Sequence, residues 1–141
     1  MIDVFFAQAN LLAILVSAFA YFLLGSLWYS LLFGDVWSKG LERVGVVIKE
    51  PTKRQLLQKL AFSFLANLAA CVGMAYLIYW TGSHRLESGL ALGFASGICF
   101  AAPTIGVSCV WESRPLKLFL VDTSYHVVGL TGAGAILSVW K

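Results

Sequence analysis

Residues 10–33 have the sequence NLLAILVSAFAYFLLGSLWYSLLF. It carries no charged side chain along its whole length. A helix rises about 1.5 Å per residue, so about 20 such residues cross the ~30 Å hydrocarbon core of a bilayer. A helix also satisfies its own backbone polar groups, which an open chain in lipid must do. The stretch therefore predicts a transmembrane helix.

Three further apolar runs follow along the chain, at residues 56–80, 88–110 and 116–140. Each is long enough to cross the bilayer once as a helix. The segments between them leave room only for connecting loops. The sequence therefore predicts an all-α polytopic membrane protein, with residues 1–141 forming one domain of four transmembrane helices packed as a bundle.

The composition supports the membrane class and excludes others. Of 141 residues, 60% are hydrophobic and only 12% are charged, whereas soluble domains carry about 25% charged residues. So few charges argue against a soluble globule, a disordered chain and a nucleic-acid binder. The three cysteines, Cys71, Cys99 and Cys109, all lie in apolar runs, so they predict no disulfide framework.

The distribution of basic residues predicts the orientation. The segment 34–59 holds six of them, and the connection at 111–117 adds Arg114 and Lys117, against only Arg85 and Lys141 on the other side. The positive-inside rule then places the loop 34–55 in the cytoplasm and both termini outside it. The six are Lys39, Arg43, Lys49, Lys53, Arg54 and Lys59.

The same loop has a second interpretation. Trp37, Leu41, Val44 and Val47 are spaced so that they could form a short amphipathic helix on the membrane surface. Its basic residues could contact anionic lipid; the simpler interpretation, which we favour, is that they set the topology and are solvated.

The third run contains a stripe of small residues, Gly89, Gly93, Gly97 and Ala101, at spacings of four. Such a stripe lets two helix backbones approach closely, so it predicts a helix–helix contact. Pro103 follows in the same run and cannot donate a hydrogen bond to the carbonyl four residues earlier. The sequence therefore predicts a kink in the third helix at Pro103.

The fourth run carries two ionisable residues, Asp122 and His126, one helical turn apart. Gly129 continues their face, and Tyr125 lies beside them. Inserting an aspartate at the centre of a membrane helix costs about 2.5–3.5 kcal/mol, so its side chain should face the protein interior and find a partner. His126 is one candidate partner for Asp122, at a spacing of four.

Polar or aromatic residues of the other helices lie at a similar depth. Asn67 belongs to the second helix, Trp28 and Tyr29 to the first, and Thr104 to the third. Counting residues inward from the basic loops places them in one layer with Asp122. All four helices are therefore predicted to converge on one polar cluster, with Asn67, Tyr29 and Thr104 as further candidate partners for the carboxylate.

Two functions remain open for this cluster. It could be the centre of a small permeation or sensing module for a proton, a cation or a polar solute. Alternatively, it could hold the helices together in a non-catalytic structural or accessory subunit. Asp122 and His126 supply only two of the three or four ligands that a metal needs. We therefore expect no metal, cofactor or enzymatic activity, and as partners the lipid bilayer and either further copies of the chain or a larger membrane complex.

Several short motifs resemble one protein family. They are LGSLWY at 24–29, APT at 102–104 and RPLKLFL at 114–120, together with Phe33, Gly34, Trp37, Asn67, Asp122, Tyr125 and His126. On these residues, spread over essentially the whole chain, the sequence resembles the domain of unknown function 1761 family. The resemblance implies a small four-helix protein of the bacterial inner membrane, with no established activity. One departure is Ser38, which stands where the family usually has a methionine after the tryptophan.

Overall fold

The computed structural model describes residue 5 and residues 9–140, and within that part the chain is helical and contains no strand. Two π-helical segments lie between α-helices in this part: Trp28–Leu32 follows Leu11–Leu27, and Gly97–Ala101 joins Leu86–Ser96 to Ala102–Trp111. The α-helices are α1 (Leu11–Leu27), α2 (Gly34–Arg43), α3 (Lys53–Thr81), α4 (Leu86–Ser96), α5 (Ala102–Trp111) and α6 (Leu116–Val139).

Within the described residues, three helical stretches are long and apolar enough to cross a membrane: Leu11–Leu32, Lys53–Thr81 and Leu86–Trp111. Their limits lie close to those of the first three predicted spans. The fourth predicted span coincides with α6, which has 24 residues but lower hydropathy. The reason is the polar run from Asp122 to His126, which sits in the half of the helix that follows the 111–117 connection.

Local sequence signals explain where the helices begin and end. The Asn10 side chain accepts a hydrogen bond from the Ala13 amide at 3.0 Å and caps α1. Thr52 and Gln55 form a reciprocal capping box that starts α3. Gly82 ends α3 with φ of 66°, a left-handed conformation that glycine adopts without a steric penalty.

The central helix of the fold is α6. It contacts all the other helices, while α1 and α3 also contact each other and the α4–α5 helix packs almost entirely against α6. The helix with the polar run is thus the most enclosed one. That arrangement is what the cost of exposing a carboxylate and an imidazole to hydrocarbon predicts.

The glycines of the predicted small-residue stripe lie against α6. A Cβ atom on Gly93 would come within 2.8 Å of Thr131 Cα, and one on Gly97 within 2.7 Å of Val127 Cα. Gly89 lies equally close to the last turns of α6, against Ser138. These three positions therefore allow backbone-to-backbone contact between the α4–α5 helix and α6.

The structure departs from regular α-helical geometry just before Pro103. In the π-helical segment Gly97–Ala101 a backbone amide bonds to the carbonyl five residues earlier instead of four, and the Ala102 amide donates to the Gly97 carbonyl. Pro103 then falls in the first turn of α5, where its missing N–H is not needed. Ala101, the last residue of the predicted stripe, lines a groove facing α3. The kink at Pro103 stays a prediction.

The loop after the first span is partly helical. Its first part forms α2, which ends at Arg43 and buries Leu41. Gly40 lies on the Leu118 side chain, and a Cβ atom there would sit 2.6 Å from Leu118 Cγ. The helix ends at Arg43 and does not reach Val47, the last residue of the possible amphipathic stretch, whose side chain is exposed. The loop therefore packs by α2 against the start of α6.

Candidate functional site

Asp122 is held by a tyrosine from the first helix. The Tyr29 hydroxyl donates to Asp122 Oδ1 at 2.9 Å, and the aspartate side chain is 16% exposed. Its other oxygen, Oδ2, lies 3.9 Å from Arg114 Nη1, too far for a direct hydrogen bond. The Arg114 guanidinium instead pairs with Glu112, with 2.5 Å between Nε and Oε2.

His126 is held by a second tyrosine of the same helix. The Tyr21 hydroxyl and His126 Nδ1 lie 2.7 Å apart and share a hydrogen bond. The sequence offers a bond between His126 and Asp122, but in the structure each group hydrogen-bonds a tyrosine of the first span, Leu11–Leu32, instead. The physical reason is that one tyrosine hydroxyl of this span reaches each of the two groups, so that neither depends on the other.

Tyr125 connects α3 to the contacts of Asp122 and His126. The Asn67 side-chain amide donates to the Tyr125 hydroxyl at 3.1 Å, and both residues are buried. The ring centroid of Tyr125 lies 5.3 Å from that of Tyr21 and 5.3 Å from that of Tyr29. Such tilted contacts are favourable for aromatic pairs. Tyr125 is thus the common neighbour of the two tyrosines that hold His126 and Asp122.

Two other residues of the predicted polar cluster, Trp28 and Thr104, donate to backbone carbonyl groups. The Trp28 indole N–H donates to the Val121 carbonyl at 3.1 Å, which fixes the first helix to α6 next to Asp122. The Thr104 hydroxyl donates within its own helix to the Phe100 carbonyl at 2.7 Å. Thr104 therefore lines the same cavity as Asp122 without bonding to it.

Glycines make room for the tyrosine side chains. A Cβ atom on Gly25 would lie 2.9 Å from the Tyr125 hydroxyl oxygen. A Cβ atom on Gly129 would overlap the ring of Tyr21. The small residues on these faces of α1 and α6 are therefore what allows the phenol groups to reach across the helix interface.

An open cavity of about 650 Å³, which we call the Asp122 cavity, lies beside these groups. It is bounded by Tyr29 and Trp37 from the first helix and α2, and by residues of α5, α6 and the connection between them. Three charged side chains reach it: Asp122, Glu112 and Arg114. With Arg114 paired to Glu112, the lining has an excess of one negative charge. The remaining lining residues are Thr104, Ile105, Ser108, Cys109 and His126.

The part of the chain that the structure describes contains neither a cluster of metal-binding side chains nor a disulfide bond. No group of three or more His, Cys, Asp or Glu side chains there could hold a metal ion. Cys71 and Cys109 are buried, Cys99 is exposed, and all three are free.

The sequence interpretation missed three residues of the site. Tyr21, which holds His126, lies four residues before Gly25 and eight before Tyr29, so helical periodicity already places it on their face. Trp37 and Arg114 were noted only as loop or motif residues. Nothing in their spacing indicates that α2 and the 111–117 connection fold against the same cavity.

Comparison with known proteins identifies the family and nothing closer. The family model described as "Protein of unknown function (DUF1761)" matches residues 12–138, nearly the whole chain. Neither a curated protein nor a solved structure matches. The match covers all six α-helices apart from the first residue of α1 and the last of α6. This chain belongs to the DUF1761 family.

Proposed function

We propose that α6 is a fourth transmembrane helix and that the chain is a four-helix bundle of the bacterial inner membrane. The support is the length of α6, 24 residues or about 36 Å, and its contact with every other helix. With four spans, the two basic connections lie at one end and face the cytoplasm, and both termini face outward. Lys141, which counts for the outer side, lies outside the described residues.

We further propose that the protein is a small permeation or sensing module that binds a proton or a small cation at Asp122. The observation that carries this proposal is the position of that carboxylate. One oxygen accepts a hydrogen bond from Tyr29, the other lies 3.9 Å from Arg114 Nη1, and the residue lines the Asp122 cavity. An ionisable side chain at membrane depth is costly, so a function that uses its charge explains why it is there.

The charges around the cavity favour a cation over an anion. Arg114 is already neutralised by Glu112 at 2.5 Å and lies further from Asp122. The aromatic rings of Tyr29 and Trp37, with centroids 5.6 Å apart, border the same cavity. A cation within about 6 Å of such a ring is attracted by its quadrupole. A small cation in the cavity would thus meet one carboxylate and two aromatic side chains.

Binding of tetramethylammonium to the purified protein in detergent tests this proposal. We expect saturable binding in equilibrium dialysis, and we expect Asp122→Asn to weaken it by at least about tenfold. An attraction between unit charges near a protein surface exceeds the ~1.4 kcal/mol that corresponds to tenfold. The amide of asparagine keeps the hydrogen-bonding capacity, so the folded structure should persist.

Glu87→Gln is the matched control for this experiment. Glu87 is an exposed carboxylate at the opposite end of the fold, 3.9 Å from Arg85, and it borders neither the Asp122 cavity nor its neighbours. Its replacement should leave binding unchanged. Wild-type affinity in Asp122→Asn, or an equal loss in Glu87→Gln, would contradict a cation site at Asp122.

A second candidate function is that of a non-catalytic accessory subunit. The observation in its favour is that Tyr21, Tyr29 and Asn67 already hydrogen-bond the polar groups of α6. Such bonds between membrane helices stabilise their association by about 0.6 kcal/mol each on average. Holding the helices together is then their whole role. On this reading the protein binds no cation, and Asp122→Asn leaves both stability and assembly with partners nearly unchanged.

A further inference from the structure

A second cavity, an apolar groove of about 670 Å³, lies next to the Asp122 cavity. It runs between α3 and the α4–α5 helix, which make few contacts with each other. Because these two helices leave the space between them open, the groove faces the hydrocarbon in a membrane. Its lining is almost entirely apolar and includes Ala70, Gly73, Met74, Leu77, Phe100 and Leu130.

The groove and the Asp122 cavity are neighbours. Thr104, Ile105 and His126 line both of them. The Thr104 hydroxyl donates to the Phe100 carbonyl. Its hydrogen-bond donor is therefore already paired where the groove meets the Asp122 cavity. The two spaces together offer a charged, aromatic end at Asp122 and an apolar end between α3 and α4–α5.

We propose that this combined site takes an amphipathic cation with a small ammonium head and a single alkyl chain. The head would lie in the Asp122 cavity, where the net charge is negative and Tyr29 and Trp37 offer their rings. The chain would lie along the groove and reach it sideways from the bilayer. This inference rests on the proposed function and adds the class of solute to it.

The net negative charge of the Asp122 cavity disfavours anionic and neutral lipid-like molecules. An anionic head would face Asp122, while the one guanidinium of the lining is paired with Glu112. A neutral molecule would gain nothing from the carboxylate and would compete with lipid chains for the groove alone. A small hydrophilic cation would use the Asp122 cavity but leave the groove to lipid.

Three probes separate the head from the chain: octyltrimethylammonium, tetramethylammonium and 1-octanol. Their binding to the full chain in detergent is measured by equilibrium dialysis at matched free concentrations. We expect octyltrimethylammonium to bind at least about tenfold more tightly than tetramethylammonium, since each buried methylene adds about fourfold. Octanol should compete only weakly, because it lacks the charge.

Two glycines give a matched pair of variants. A Cβ atom on Gly73 or on Gly132 would meet nothing within 4 Å, so a side chain can leave the backbone at both positions without a clash. Gly73 lines the groove, whereas Gly132 is exposed and lines neither cavity. We expect Gly73→Leu to weaken octyltrimethylammonium binding by about tenfold, because the side chain displaces part of the alkyl chain. Tetramethylammonium binding should not change, and Gly132→Leu should bind all three probes like the wild type.

The outcomes distinguish this inference from the proposed function. If tetramethylammonium binds in an Asp122-dependent way but octyltrimethylammonium binds no better, or is unaffected by Gly73→Leu, the cation site stands and the groove proposal is wrong. If octanol binds as tightly as octyltrimethylammonium, the groove takes apolar chains without selecting a cation, and the proposal is wrong as well. If neither cation binds, the cation site itself is wrong and the groove proposal is overturned with it.

Discussion

Replacing Gly93 with leucine should lower the free energy of unfolding by about 3 kcal/mol, at the upper end of what overpacking usually costs. The first added carbon already comes within 2.8 Å of the Leu130 carbonyl carbon and of Thr131 Cα. These are backbone atoms of α6, so no side-chain rotation relieves the overlap. The α4–α5 helix and α6 must separate, and contacts along the whole interface weaken. Denaturation by sodium dodecyl sulfate, followed by circular dichroism, measures the loss.

Gly132→Leu is the control for that measurement. Gly132 lies on α6 close to the Gly93 contact in sequence, but a side chain there points into open space. Its replacement should leave the unfolding midpoint within experimental error or raise it slightly, because glycine is a poor helix former. If Gly93→Leu unfolds at the same midpoint as Gly132→Leu, then close contact between α4 and α6 is not what stabilises the fold.

Gly129→Ala should destabilise the protein by about 2 kcal/mol, through the hydrogen bond that holds His126. The added methyl group would overlap the ring of Tyr21, which is only 3% exposed. The ring must move, and the 2.7 Å contact between its hydroxyl and His126 Nδ1 is lost. The same denaturation experiment measures this effect.

A double mutant identifies the cause. In a Tyr21→Ala background the ring is absent, so Gly129→Ala meets no overlap and should cost far less than it does alone. Residues in contact show such non-additive effects, whereas independent sites add. Additive losses in the double mutant would show that Gly129 acts on something other than Tyr21.

The positions of the helices could be predicted from the sequence because hydrophobic length alone determines them. The runs 10–33, 56–80 and 88–110 contain a single charged residue, Lys59, so their ends are sharply marked by the charges that flank them. The polar layer followed from depth, since a count of residues along each helix fixes how far a side chain lies from the loops. That count places Tyr29 and Asn67 in the layer of Asp122, and in the structure they hydrogen-bond Asp122 and Tyr125 of α6.

The pairing within the layer could not be predicted in the same way. Depth does not tell which faces of two helices meet, and a rotation of the first span by one residue, about 100°, would turn Tyr21 and Tyr29 away from α6. Hence Tyr21, which binds His126, was missed although its spacing from Tyr29 was visible. The cavity depends even more on tertiary structure. Trp37 and Arg114 reach it only because α2 and the 111–117 connection fold back against the helices.

The most direct test of a functional Asp122 is the infrared difference spectrum of the protein with and without tetramethylammonium. A cation that binds at this carboxylate displaces a proton or changes its contact with Arg114, and either event alters the carboxyl stretching bands. We predict such a change in the wild type and in Glu87→Gln, and its absence in Asp122→Asn. A wild-type spectrum without any carboxyl change, or the same change in Asp122→Asn, would contradict the account.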